Sequence, residues 1–159
     1  MDTSEGKEGT FLVTHADEDS AVVRSVEDGQ VHTLADNPGL ATGELLRGTL
    51  APEPPLEVAW RAVEVEERWT VPVGRSPEPP TARTVDTAAD QPVGEVTRHE
   101  RAGTGEVHVL TVPPGETEAA VADVLDDEAT VERAARLGVD RVEVRTDDGA
   151  GVVSVRYLP

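Results

Sequence analysis

Two groups of side chains in this 159-residue sequence have the types and spacing to do chemistry. The first is His15-Ala-Asp17-Glu-Asp19, which sets carboxylates at alternate positions beside an imidazole, a spacing able to hold a hard divalent cation. It lacks the glycine and distal glutamate of an EF-hand loop, so a solvated hairpin tip is the ordinary reading. The second group is built on arginine. Arg141, Glu143 and Arg145 alternate with Val142 and Val144 and so share one face of a strand. Arg156 joins them from the next strand if Val155 and Tyr157 point to the core. A planar guanidinium forks onto phosphate or carboxylate, so this face suits RNA or an acidic protein partner. Its ordinary reading is internal pairing with Glu143 and nearby acids. Arg98 and Arg101, flanking His99, make a weaker patch.

The remaining candidates are fewer. Trp60 and Trp69 could stack bases if they lie on a surface, but a valine-rich core needs large side chains of its own. The four histidines, His15, His32, His99 and His108, are scattered without metal spacing and read as structural imidazoles. Asp126-Asp127-Glu128 reads as helix capping. No nucleophile elbow, P-loop or dinucleotide fingerprint occurs, and Gly103-Thr-Gly105 precedes a strand where a phosphate loop would follow one. With no cysteine there is no disulfide, no thiolate nucleophile and no Cys-based zinc or iron–sulfur site. No cofactor is expected.

Charge bounds the setting. The chain carries 32 Asp plus Glu against 14 Lys plus Arg, a formal net charge of -18, and Lys7 is its one lysine. Carboxylates spread over both halves suit a protein dissolved in concentrated salt, where a Debye length of about 3 Å at 1 M screens self-repulsion. Salt at that level would also reinforce a core made mostly of Val and Ala, so dilute buffer is expected to loosen the fold. The acidic, polar N-terminus does not read as a signal peptide, and no apolar run reaches membrane-spanning length. A soluble cytoplasmic protein without membrane contact is expected.

These residues need elements to hold them. Short β-runs separated by turns fill residues 9–73, after a flexible N-terminus at 1–8. Asp28-Gly29 signals a two-residue hairpin pairing Ser25 with His32 and Val23 with Leu34. The rigid Pro52-Glu-Pro-Pro55 stretch leads into a long strand, Leu56 to Val73. There Val58, Trp60 and Ala62 alternate in one phase and Val63, Val65 and Trp69 in the other, which predicts a bulge near Ala62-Val63. A proline-rich connector, 74–81, follows. Val85, Ala88, Ala89, Val93 and Val96 have helical spacing, interrupted by Pro92. A strand at 106–112, helices at 116–126 and 127–137, and a hairpin of 139–145 with 152–158 complete the chain. The helical pair is long enough for a parallel crossover between the strand at 106–112 and the hairpin.

The expected fold is α+β: an N-terminal small antiparallel β-barrel of the OB or SH3-like kind, then an α-β-α-α-β-β unit with a mixed sheet over residues 82–159, packed against it. The strand-helix-helix-strand-strand order resembles the core of a KH domain, but Asp126-Asp-Glu-Ala129 stands where that domain clamps phosphates with Gly-x-x-Gly. Gly9-Thr-Phe-Leu-Val-Thr-His-Ala16, Asn37-Pro-Gly39, Ala51-Pro-Glu-Pro-Pro55, Val107-His-Val-Leu-Thr-Val-Pro113 and the ending Val139–Arg145 to Val155–Pro159 resemble an uncharacterised haloarchaeal domain-of-unknown-function family over nearly the whole chain. The resemblance implies no catalytic or binding residues. The leading expectation is a non-enzymatic interaction or adaptor module that binds protein through a sheet edge or the arginine face. The alternatives are a nucleic-acid accessory protein using the barrel and an enzyme with an acidic site.

Overall fold

The computed structural model describes residues 6–53, 59–101 and 103–159. Two compact units, Met1–Val71 and Pro72–Pro159, divide the chain. The expected flexible stretch falls partly outside the described residues, as do Pro54, Pro55, Leu56 and Val58; Lys7 and Glu8 already belong to the first strand.

The first unit holds β1 (Lys7–Ala16), β2 (Ala21–Ser25), β3 (Val31–Leu34), β4 (Leu45–Pro52) and β5 (Trp60–Trp69). They close on themselves in the order β1-β2-β3-β5-β4. The ring is mixed where an antiparallel one was expected: β3 meets β5 in parallel at Leu34 and Trp60. Inside it Phe11, Val13, Ala21, Val23, Leu34, Leu46 and Leu50 form the core. Alternation supplies most of that set, since Ala21, Val23 and Ser25 are buried on β2 and His32 and Leu34 on β3.

The hairpin between β2 and β3 is wider than Asp28-Gly29 alone predicts, pairing Val23 with His32 and Ala21 with Leu34. The Ser25 hydroxyl accepts from the N–H groups of Glu27 and Asp28, and Gly29 N–H donates to the Ser25 carbonyl, so a side-chain-capped turn replaces the two-residue one. The slip is two residues, which leaves every side chain on its expected face. On β5 the predicted bulge is present at Val63, where register with β4 shifts between Thr49 and Leu50, and a second shift between Arg47 and Gly48 leaves Glu66 over. Gly48 sits between the two. A Cβ there would lie 2.1 Å from the Glu64 carbonyl oxygen, so the bulged strand crosses where only a glycine fits.

The second unit contains β6 (Val73–Arg75), α1 (Ala82–Ala89), β7 (Val96–Glu100), β8 (Glu106–Thr111), α2 (Thr117–Asp126), α3 (Glu128–Leu137), β9 (Arg141–Asp147) and β10 (Val152–Leu158). Its sheet runs β6-β9-β10-β8-β7. Two expectations are corrected here. Residues 92–96 do not extend a helix: Pro92 and Val93 turn the chain, Gly94 takes a positive φ of 92°, and Val96 opens β7 against β8. The strand at 106–111 pairs antiparallel with β10, and the parallel pair is β6 with β9. The stretch read as a connector is drawn into this unit, with β6 in the sheet and Ser76 N–H on the Val144 carbonyl.

Alternation gives the sheet two unlike faces. Val142, Val144, Val153, Val155 and Tyr157 are buried on the side that α2 and α3 cover. On the other side α1 lays Ala88 against Val109 and Val152, with Val107 packed beside them, and β9 adds Arg141, Glu143 and Arg145 to that face. Helix ends follow ordinary rules: Thr81 caps α1 through Thr84 N–H, Asp127 caps α3 through Ala129 N–H, and Gly138 ends α3 in the left-handed region. Asp148, from the hairpin turn, accepts from the Thr117 hydroxyl at 2.6 Å and so fastens the start of α2. Among the described residues no helix is long and apolar enough to cross a membrane.

Candidate binding site on the arginine-bearing sheet

The register of β9 on β10 pairs Glu143 with Arg156, so Arg141, Glu143, Arg145 and Arg156 share the α1 face, as their alternation with buried Val155 and Tyr157 requires. Glu143 is the hub. Its carboxylate lies 2.6 Å from Arg145 Nε, 3.5 Å from an Arg141 nitrogen and 3.6 Å from an Arg156 nitrogen. Arg145 also reaches Glu78 at 3.0 Å and the Pro79 carbonyl at 3.4 Å, so the proline-rich stretch lies across it. Burial pushes the Glu143 carboxyl up, but the hydrogen bond from Arg145 and the charges of all three arginines outweigh it and hold the group below the usual range. Arg156 is pulled below the ordinary arginine value by burial and then by Arg145 beside it. Arg145 and Arg156 side chains are only 15% and 19% exposed, whereas Arg141 is 52% exposed and is the member a partner can reach.

On the opposite face β8 and α3 build a second cluster. Glu106 Oε1 lies 2.7 Å from Arg133 and 2.9 Å from His108 Nε2, and the His108 ring packs 4.9 Å from that of Tyr157. Burial lowers the His108 pKa, with the hydrogen bond to Glu106 opposing it. Burial raises Tyr157. This imidazole is held by its neighbours, as a structural histidine is.

The two tryptophans are engaged within the first unit. Trp60 meets the buried His32 ring edge-on at 4.5 Å, and His32 in turn meets Phe11. Trp69 carries the Arg47 guanidinium 5.7 Å from its ring centre. In the acidic cluster Asp17 Oδ1 accepts from the N–H groups of Asp19 and Ser20 at 2.9 and 2.8 Å, which closes the β1–β2 turn, while His15 stands 3.9 Å from the other oxygen. Those backbone bonds lower the Asp17 pKa. Among the described residues no group of three or more His, Asp or Glu is placed to hold a metal ion.

What sequence reasoning does not reveal is the pairing pattern. Arg47, Arg61, Arg68, Arg75, Arg133, Arg141, Arg145 and Arg156 each have a carboxylate oxygen within 3.6 Å. Among the described residues the Arg83 and Arg98 guanidinium groups have no hydrogen-bond or ion-pair partner, and that of Arg101 bonds only the Thr104 carbonyl at 2.8 Å. All three lie on α1, on β7 and at the end of β7. Ion pairs form between residues distant in sequence, so only the fold can show which arginines are left over.

β7 is also one of the two edge strands of its sheet, the three-residue β6 being the other. Arg101 N–H donates to the Gly105 carbonyl, and antiparallel alternation then turns His99 and Thr97 toward β8 and the backbone groups of Val96, Arg98 and Glu100 outward. Val93 and Val96 are exposed at the same end. No curated protein and no solved structure matches the chain. Residues 7–146, spanning both units as far as Thr146 on β9, match the Family of unknown function (DUF5812), and the chain belongs to that family.

Proposed function

We propose that the protein is a non-enzymatic interaction module whose second unit takes an extended, acidic segment of a protein partner along β7. The observation that carries the reading is the open edge of β7 with Arg98 on it, unpartnered among the described residues in a chain with more than twice as many acids as bases. Backbone groups of an edge strand supply affinity by strand addition, and the arginine supplies a preference for carboxylates. The exposed Val93 and Val96 add apolar contact. Arg141, the exposed member of the hairpin arginines, extends the same preference on the α1 face.

The strand order of the ring supports reading the first unit as a small closed barrel of the OB or SH3-like kind. Its fit to nucleic acid is weaker, because Trp60 and Trp69 are taken up by His32 and Arg47 and the β1–β2 turn is acidic. The acid excess supports a cytoplasm rich in salt as its setting.

Recovery of the tagged chain from its own cells in multi-molar salt, with nuclease, tests the reading. A partner recovered by the wild type and by Arg156→Gln is expected to be lost with Arg98→Pro, which removes an outward N–H and no β7–β8 bond. Equal recovery by Arg98→Pro would overturn the edge reading, and material that disappears with nuclease would move nucleic acid to first place.

A further inference from the structure

A cavity of about 240 Å³ lies between α1 and β7, lined by Arg83 and Thr84 of the helix and by His99, Glu100 and Arg101 at the end of the strand, with Val107 as an apolar wall. We propose that it is a binding site for the phosphate group of a small molecule, a role separate from partner binding along the β7 edge. The charge is in place and unspent: neither Arg83 nor Arg101 has a carboxylate within reach among the described residues. Thr84 is nearly buried and its hydroxyl meets that of Thr81 at 3.0 Å, with no second side-chain partner among the described residues, so it keeps hydrogen-bonding capacity for a ligand. The His99 ring meets Thr87 through Nε2 at 3.2 Å, leaving Nδ1 for a ligand.

Two guanidinium groups and a hydroxyl converge on one hollow as donors, and His99 Nδ1 stands beside them as an acceptor, because the Thr87 hydroxyl donates to the Arg83 carbonyl and so takes the Nε2–H of the ring. A tetrahedral hydrogen phosphate has oxygens for all three donors and a P–OH for the imidazole, whereas a carboxylate offers two oxygens in one plane and no proton. Size agrees with a small ligand. The cavity falls below the range of roughly 300–1,000 Å³ for drug-sized ligands and equals about eight of the ~30 Å³ shares that waters take in the liquid, enough for a phosphate and a few carbons. Glu100 is the one carboxylate on the lining and opposes the anion, which gives a variant that acts in the opposite sense.

The cavity is also held in shape before any ligand arrives. Gln91, just after α1, donates through Nε2 to the Glu95 and Val109 carbonyls and the Thr111 hydroxyl, each at 3.0 Å, and accepts from Thr97 on β7. Thr111 in turn donates to the Ala88 carbonyl at 2.9 Å. The helix is thereby pinned to β7 and β8, and binding need not order them.

Titration of the full chain with inorganic phosphate at constant ionic strength, followed by NMR, tests the site. Saturable shifts at Arg83, Thr84, His99 and Arg101 are expected, with acetate at least about tenfold weaker and chloride without saturation. Arg83→Gln is expected to weaken phosphate by about tenfold or more and Glu100→Gln to strengthen it several-fold. Arg83 is exposed on the helix, so its variant keeps the fold. Absence of saturation, acetate or chloride matching phosphate, or a Glu100→Gln that leaves affinity unchanged would each overturn the proposal. Arg98→Pro, which blocks strand addition, is expected to leave phosphate binding intact.

Discussion

The two units treat their edges in opposite ways, and the second pairs most of its arginines but leaves three unmatched among the described residues. In the ring every strand has neighbours on both sides, and Arg47, Arg61 and Arg68 are matched to Glu67, Glu53 and Glu44. In the second unit the sheet stops at β7, and the unmatched Arg83, Arg98 and Arg101 gather at that end. Both are drawn from one acid-rich chain, so the shortage of partners around β7 is a matter of placement, not of supply. A surface that leaves backbone and charge unsatisfied in water costs little there, yet it keeps both available to a ligand. The contrast is the ground on which binding is proposed for the second unit.

The largest effect expected from breaking this contrast is in the ring. Gly48→Val would drive a side chain into the Glu64 carbonyl and is expected to cost about 3 kcal/mol, read by chemical denaturation in high salt. The two units have separate core clusters, so NMR signals of the ring should be lost while those around α1 and β8 persist. Simultaneous loss of both would show that they fold as one. Next in size is Glu143→Gln, which removes the hub of three arginines. A loss of about 1–2 kcal/mol is expected, discounted for partial exposure, together with stronger retention on an anionic resin. Unchanged retention would mean that Glu78 alone keeps the face neutral.

The smallest effect compares His32 in the ring with His108 in the sheet. Burial lowers both, helped at His32 by Lys7, so each is held neutral in the fold. Their contribution is present above the ordinary histidine value of 6.5 and falls as pH drops below it, levelling off once the depressed folded pKa is passed. Glu143 and Glu106 shift downward too, so their contributions are lost only at lower pH, below the ordinary 4.5. His32→Gln is expected to remove the part of the slope below pH 6.5 that arises in the ring. A slope unchanged in that variant would assign it elsewhere.

Much of the ring was legible because its apolar residues mark their own faces. The phase change between Ala62 and Val63 announced the first bulge; the second, at Glu66, puts Val65 and Trp69 on opposite faces although their spacing set them in one phase, so alternation concealed it. Ser25 could be read as a strand end, but its hydroxyl widens the following turn by a bond the pattern does not carry. Val93 and Val96 have helical spacing by chance: both are exposed, one in a turn and one on β7, so their periodicity reflects no buried face. β6, three residues long, is too short to leave a pattern. At the site, the shared face of Arg141, Arg145 and Arg156 followed from alternation, and their pairing with Glu143 was the ordinary reading. Arg83 gave no sign, since its significance lies in which residues the fold leaves out of its reach.

Gln91 carries one more consequence. Its amide is directional, with nitrogen facing three oxygen acceptors and oxygen facing a hydroxyl donor, so it is satisfied in one orientation and not the other. Glutamate has the same outline but would set a carboxylate oxygen against the Glu95 and Val109 carbonyls, where the amide donates. The end of α1 is thus secured by the identity of a single atom, and exchanging that nitrogen for oxygen should free the helix while leaving the shape of every side chain around it unchanged.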